Sequence, residues 1–247
     1  MVISIANQKG GSQKSTITSI MATAIHYGVK EMNVAVIDAD LQKSLFNSRG
    51  TEITAVKNSP SETLKLEKMQ AINGKELFPI IWSPINQVED KIKELKQKGF
   101  NMIFIDLPGT LEADGLDQVY PLLDYIFIPV YTDIKSQDST SQFVFKLKKL
   151  IIDNPNIKSN IKDFTLFFTK YTDNKNLKDS ERFRNLRSSY KMLNLNILDK
   201  GFYSASAFVD DFAFTVFPFP KDKKLERISP YPLFEEMFGF MFNNKNK

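Results

Sequence analysis

Apolar residues along this chain fall in short runs separated by stretches of helical periodicity, an alternation that predicts strands and helices in turn. The runs at 2–6, 34–38, 78–82, 102–106, 125–130 and 164–168 read as strands, with a shorter one at 196–197. Several are apolar at almost every position, as strands covered on both faces have to be. Helical spacing marks 14–27, 89–98, 137–152, 178–193 and a last helix over 232–243. Strands alternating with crossover helices imply the α/β class, a doubly wound, mostly parallel sheet flanked by helices. The segment 50–74 is polar, and no element is assigned to it. With no internal repeat or low-complexity linker, 247 residues suit a single domain spanning 1–247.

Composition narrows the chemistry. The absence of cysteine excludes a disulfide scaffold, a Cys-ligated zinc site and a Cys-ligated iron–sulfur cluster. There is no basic-then-apolar leader and no apolar run approaching 18 residues, which predicts a soluble cytoplasmic protein. The net charge of +4 is modest, but residues 146–200 hold thirteen Lys/Arg against six Asp/Glu, so the positive excess is concentrated there.

Three segments carry candidate chemistry. Residues 9–16, Lys-Gly-Gly-Ser-Gln-Lys-Ser-Thr, follow the first strand and have the makings of a phosphate-binding loop. Glycines allow a tight turn with exposed N–H groups, a lysine meets phosphate charge, and a hydroxyl can ligate Mg²⁺. Gly10, Gly11, Lys14 and Ser15 fill those places, with Ser12, Gln13 and Thr16 completing the loop and opening a helix whose positive end faces the anion. The strand at 34–38 ends in Asp38 and, two residues on, Asp40. The strand at 102–106 ends in Asp106-Leu107-Pro108-Gly109. In a doubly wound sheet all three segments reach the carboxyl edge, where ligands bind.

The pattern KGGxxK[ST], with Lys9 ahead of the glycine pair, resembles the deviant Walker A loop of the ParA/MinD family of P-loop ATPases. The run Asp38-Ala39-Asp40-Leu41-Gln42 resembles that family's DxDPQ element, with leucine in place of proline. The strand ending in Asp106 resembles a Walker B element, and Asp124-Tyr125-Ile126-Phe127-Ile128-Pro129-Val130 the family's ADYVIIPV strand. The resemblance is clear to about residue 170 and diffuse beyond it.

It implies ATP and Mg²⁺ as cofactors. Lys9 would reach the nucleotide of a partner subunit, giving an ATP-dependent homodimer. Lys14 would meet the phosphates and Asp40 would help place the attacking water. Ser15 and Asp106 would serve the metal, with Asp38 supporting it. Thr169 and Lys170 fall on the adenine side, where a role for their backbone alone is the simpler expectation. The resemblance further implies nonspecific DNA binding, a ParB-like centromere-binding partner, and slow, partner-stimulated ATP hydrolysis in partition of plasmid or mobile-element DNA. Two alternatives stay open: a MinD-like positioning ATPase at a membrane, and a weakly hydrolysing nucleotide-binding adaptor, motivated by Gln13 where glycine is usual and by Leu41.

Two late helices bear on that choice. On 178–191, Arg184, Arg187 and Lys191 share a face suited to phosphate contact in any DNA sequence. The 232–243 helix has a wide apolar stripe but an acidic polar face, so docking on the sheet is expected over binding to anionic lipid. His26, the one histidine, has no Cys or nearby acid beside it in sequence and is read as structural.

Overall fold

A computed structural model of the chain describes residues 1–8, 13–110, 113–131, 134–161, 163–171, 181–203 and 213–243. The strands are β1 (Val2–Ile5), β2 (Val34–Asp38), β3 (Ile80–Trp82), β4 (Met102–Asp106), β5 (Tyr125–Val130), β6 (Asp163–Tyr171), β7 (Asn196–Ile197) and β8 (Phe202–Tyr203). They form one eight-stranded sheet among the described residues, in the order β3-β2-β4-β1-β5-β6-β7, with β8 also on β6. Every pairing is parallel. The helices are α1 (Lys14–Gly28), α2 (Ser44–Lys57), α3 (Pro60–Asn73), α4 (Val88–Gln97), α5 (Leu116–Val119), α6 (Ile134–Ile151), α7 (Glu181–Met192) and α8 (Tyr231–Asn243). The expected α/β class and the expected strands are present. The β6 strand runs longer than its apolar core, and β8 is an addition to the strands that the apolar runs mark.

Alternation along the central strands divides the core between the two faces of the sheet. On one, Ala35, Ile37, Ile103 and Ile105 pack with Val88, Ile92 and Leu95 of α4 and Phe143 and Leu147 of α6. On the other, Val34, Val36, Met102 and Phe104 pack with Ile17, Ile20 and Met21 of α1 and with α8. Leu233, Phe234, Met237 and Met241 of α8 are almost wholly buried, each contributing about 1.5–3 kcal/mol by leaving water. The Tyr125 hydroxyl donates to the Met241 carbonyl at 2.9 Å. The apolar stripe of the last helix is therefore covered by the sheet. Its acid Glu236 accepts from the N–H groups of Asp199 and Lys200, both at 2.8 Å.

The unassigned polar stretch is largely two helices, α2 and α3. Ser59 caps α3 by accepting from Glu62 N, Pro60 opens it, and Gly74 closes it in the left-handed region at φ +60°. The α2 helix is anchored mainly by polar clamps. Arg49, 8 % exposed, donates to the carbonyls of Phe78 at 3.0 Å and Thr215 at 2.6 Å, and its guanidinium lies 4.5 Å from the Phe78 ring centroid. Burial lowers the Arg49 pKa to about 10. Glu52 accepts from both the amide and the hydroxyl of Thr215.

Candidate nucleotide site

The strand order reverses direction between β1 and its neighbours β4 and β5, the place where doubly wound sheets open a ligand crevice. Three segments meet at this carboxyl edge. From β1, the side chain of Asn7 donates to Pro129 O at 2.6 Å, and that of Gln8 to Ser139 O at 2.9 Å. These bonds fix the chain entering the loop against β5 and α6. Neither residue was a sequence candidate, since nothing local marks an amide that reaches more than 120 residues ahead.

Lys9, Gly10, Gly11 and Ser12 lie outside the described residues. Gln13 stands at φ +61°, a left-handed conformation that costs a non-glycine residue about 1–2 kcal/mol. Its side-chain oxygen accepts from the hydroxyl of Thr169, wholly buried on β6, at 2.8 Å. The loop is thereby tied to the expected base-side strand. The Lys170 side chain is outside what is described. Gln13 O accepts from Ile17 N at 2.8 Å, and Lys14, Ser15 and Thr16 form the first turn of α1.

Ser15 Oγ donates to Asp106 Oδ2 at 2.6 Å. Asp106 Oδ1 is buried and accepts no hydrogen bond among the described residues. Desolvation, only partly offset by Ser15, raises the Asp106 pKa to about 7. Burial lowers the Lys14 pKa, while the charges of Asp106 and Asp40 oppose that shift. A Cβ placed on Gly109 would stand 3.2 Å from Lys14 Nζ, so a side chain here would push the lysine tip aside by a few tenths of an ångström.

Asp38 sits opposite Asp106 in the β2–β4 register. Its Oδ1 accepts from Asp40 N at 3.1 Å and its Oδ2 from Phe46 N at 2.9 Å. This carboxylate organises the Asp40 turn and satisfies an amide in the first turn of α2. Asp40 Oδ1 accepts from Gln42 N at 2.9 Å, which orients that carboxylate.

A sequence profile of the CobQ/CobB/MinD/ParA nucleotide-binding domain matches residues 3–201. The chain belongs to that family. It is similar in fold to MinD of the MinC:MinD cell division complex from Aquifex aeolicus, at 18% identity and a TM-score of 0.65, over 97% of this chain and 95% of that one. A protein assigned to plasmid partition in Borrelia burgdorferi B31, bound to AMPPNP, aligns at 21% identity and 0.56, over 96% and 97%. The pnob8 ParA aligns at 14% identity and 0.57, over 98% and 99%. No curated protein matches the sequence.

The fit to Mg²⁺ and a nucleotide rests on this family member's own atoms. A hydroxyl and a carboxylate in contact, with a second buried carboxylate oxygen left without a donor, are the hard oxygen groups that Mg²⁺ prefers. No cluster of three or more His, Asp or Glu stands ready to hold a metal among the described residues. Water and phosphate oxygens would complete the shell, as is usual for Mg²⁺.

The candidate DNA face is divided. Arg184 and Lys191 are exposed on α7, whereas the Arg187 side chain is 21 % exposed. Arg187 pairs with Asp199, donates to Leu198 O at 2.9 Å and lies over the Phe168 ring. Among the described residues no helix is long and apolar enough to cross a membrane.

Proposed function

We propose that this chain is an ATPase that dimerises on Mg-ATP, binds DNA without sequence preference and drives partition of plasmid or mobile-element DNA. A ParB-like centromere-binding partner stimulates its slow hydrolysis. The observation that carries the reading is the convergence of Lys14, Ser15, Asp106 and Asp40 at the switch point of a family nucleotide-binding fold.

Lys14 holds the phosphates, joined by Lys9 from across the dimer. Ser15 and Asp106 would hold Mg²⁺, which when bound supplies neutralising charge to the phosphates. Asp40 positions the attacking water. Catalysis is then chiefly positioning and charge compensation.

The likeness to MinD favours a second reading, a positioning ATPase at a membrane. Burial of the α8 stripe and the exposed cations of α7 support the DNA reading over it. Binding of the protein to random duplex DNA in ATP, in ADP and without nucleotide, across a salt series, tests the choice. Tight, salt-sensitive binding in ATP alone is expected. Binding in no state, together with ATP-dependent sedimentation on anionic liposomes, would transfer the assignment to the membrane reading.

A further inference from the structure

Asp40 is held by a turn that has little packing of its own. Leu41, the side chain that follows it, is 82% exposed, and Lys43 closes the turn at φ +53°, in the left-handed region. Within the turn, Lys43 N donates to Asp40 O at 3.0 Å. The same carbonyl accepts a bond from a distant strand: Nε1–H of Trp82, at the end of β3, lies 3.3 Å away. The ammonium of Lys43 stands 3.8 Å from the centroid of that indole, within the range of a cation–π contact. Ser83 N donates to Asp38 O at 3.0 Å, which fastens the indole-bearing strand end to β2 beside the turn.

Among the described residues, Trp82 has no place in any of the three apolar clusters. Its ring engages the turn, meeting the Asp40 carbonyl through Nε1–H and the Lys43 side chain through its π face. With Asp38 bonding the Asp40 amide and Gln42 orienting the carboxylate, Trp82 fixes the remaining side of this residue.

We infer that Trp82 is a positioning residue for hydrolysis, holding the Asp40 turn so that its carboxylate is ordered before the transition state is reached. The inference rests on the assignment of Asp40 to the attacking water. A group already aligned need not be ordered during the reaction, so the benefit appears in turnover and leaves ground-state nucleotide binding largely unchanged.

The test compares the parent with Trp82→Phe, which keeps an aromatic face for Lys43 and removes the N–H. ATP affinity by calorimetry, steady-state hydrolysis and melting temperature are measured on both. The expected result is a kcat about fivefold lower with ATP affinity within about twofold, the loss of one neutral hydrogen bond expressed in the transition state. Hydrolysis at the parent rate, or a parallel fall in affinity and kcat, would overturn the inference.

If the parent binds ATP but does not hydrolyse it, the role of Asp40 falls and this inference with it. A hydrolysing parent with an indifferent Trp82→Phe removes the inference alone.

Discussion

At the carboxyl edge of the sheet, Lys14, Ser15 and Asp106 are wholly or partly buried, and Ser15 and Asp106 orient each other directly. On α7, by contrast, Arg184 and Lys191 stand in solvent while Arg187 is committed to Asp199 and Leu198. As a nucleotide site the first region would work by geometry, with few groups in a low dielectric. As a DNA face the second would work by summed charge, where each exposed cation adds a small, salt-screened amount. Residues that share the description "basic" therefore differ widely in what their removal should do.

The largest effect is expected from Lys14→Ala. In the proposed role of Lys14 it removes one charge-assisted phosphate contact of about 1.5–3 kcal/mol, so ATP should bind roughly 10- to 100-fold more weakly. Hydrolysis should fall further, by about 10²–10³. Calorimetry and phosphate release on the same preparation measure both, and parent-like values would remove the loop assignment.

Next comes Arg187→Ala, where the comparison predicts a folding defect. Losing the Asp199 pair and the bond to Leu198 O should cost about 1–3 kcal/mol in denaturant melts, with Arg187→Lys intermediate. A variant as stable as the parent that has lost only DNA binding would assign Arg187 to the DNA face.

A smaller effect is expected from Arg184→Ala/Lys191→Ala. Stability should hold within about 0.5 kcal/mol. The slope of log K against log salt for duplex DNA should become shallower by about 1 for each phosphate that is no longer neutralised. An unchanged slope would mean that DNA, if bound, meets another surface.

The smallest concerns His26, which is buried with Nε2 2.8 Å from Glu76 O. Desolvation lowers its pKa below the ordinary 6.5. The folded state then binds this proton less readily than the unfolded chain, so stability is lost as pH falls through 6.5 and below. Relative to His26→Gln, the parent should lose melting temperature progressively between pH 7 and 5. A pH-independent difference would contradict the shift.

Much of the sheet was legible because strands buried on both faces must be almost continuously apolar, and β5 and, up to their terminal aspartates, β2 and β4 are. The α2 helix was not legible, since it buries only Leu45 and Val56 beside an arginine bonded to carbonyls 29 and 166 residues away. The α3 signals were local, Ser59-Pro60 and Gly74, but without an apolar stripe they bracket a helix that periodicity does not reveal. In the site, glycine, lysine, serine and aspartate announce phosphate and metal chemistry by type and spacing alone. The tie from Gln13 to Thr169 and the cover of Trp82 over Asp40 join positions 156 and 42 residues apart, and no local pattern encodes either.

The sequence by itself determined the α/β class and pointed to the carboxyl edge and to the residues proposed to meet the phosphates, because backbone sterics, strand burial and charge complementarity act locally. Only the tertiary structure decided that Asp38 bonds an amide in the first turn of α2, that Arg187 is paired with Asp199, and that the apolar stripe of α8 is spent on the sheet. A charge or an apolar face is a capacity, and which neighbour satisfies it depends on what the fold brings within about 3–4 Å.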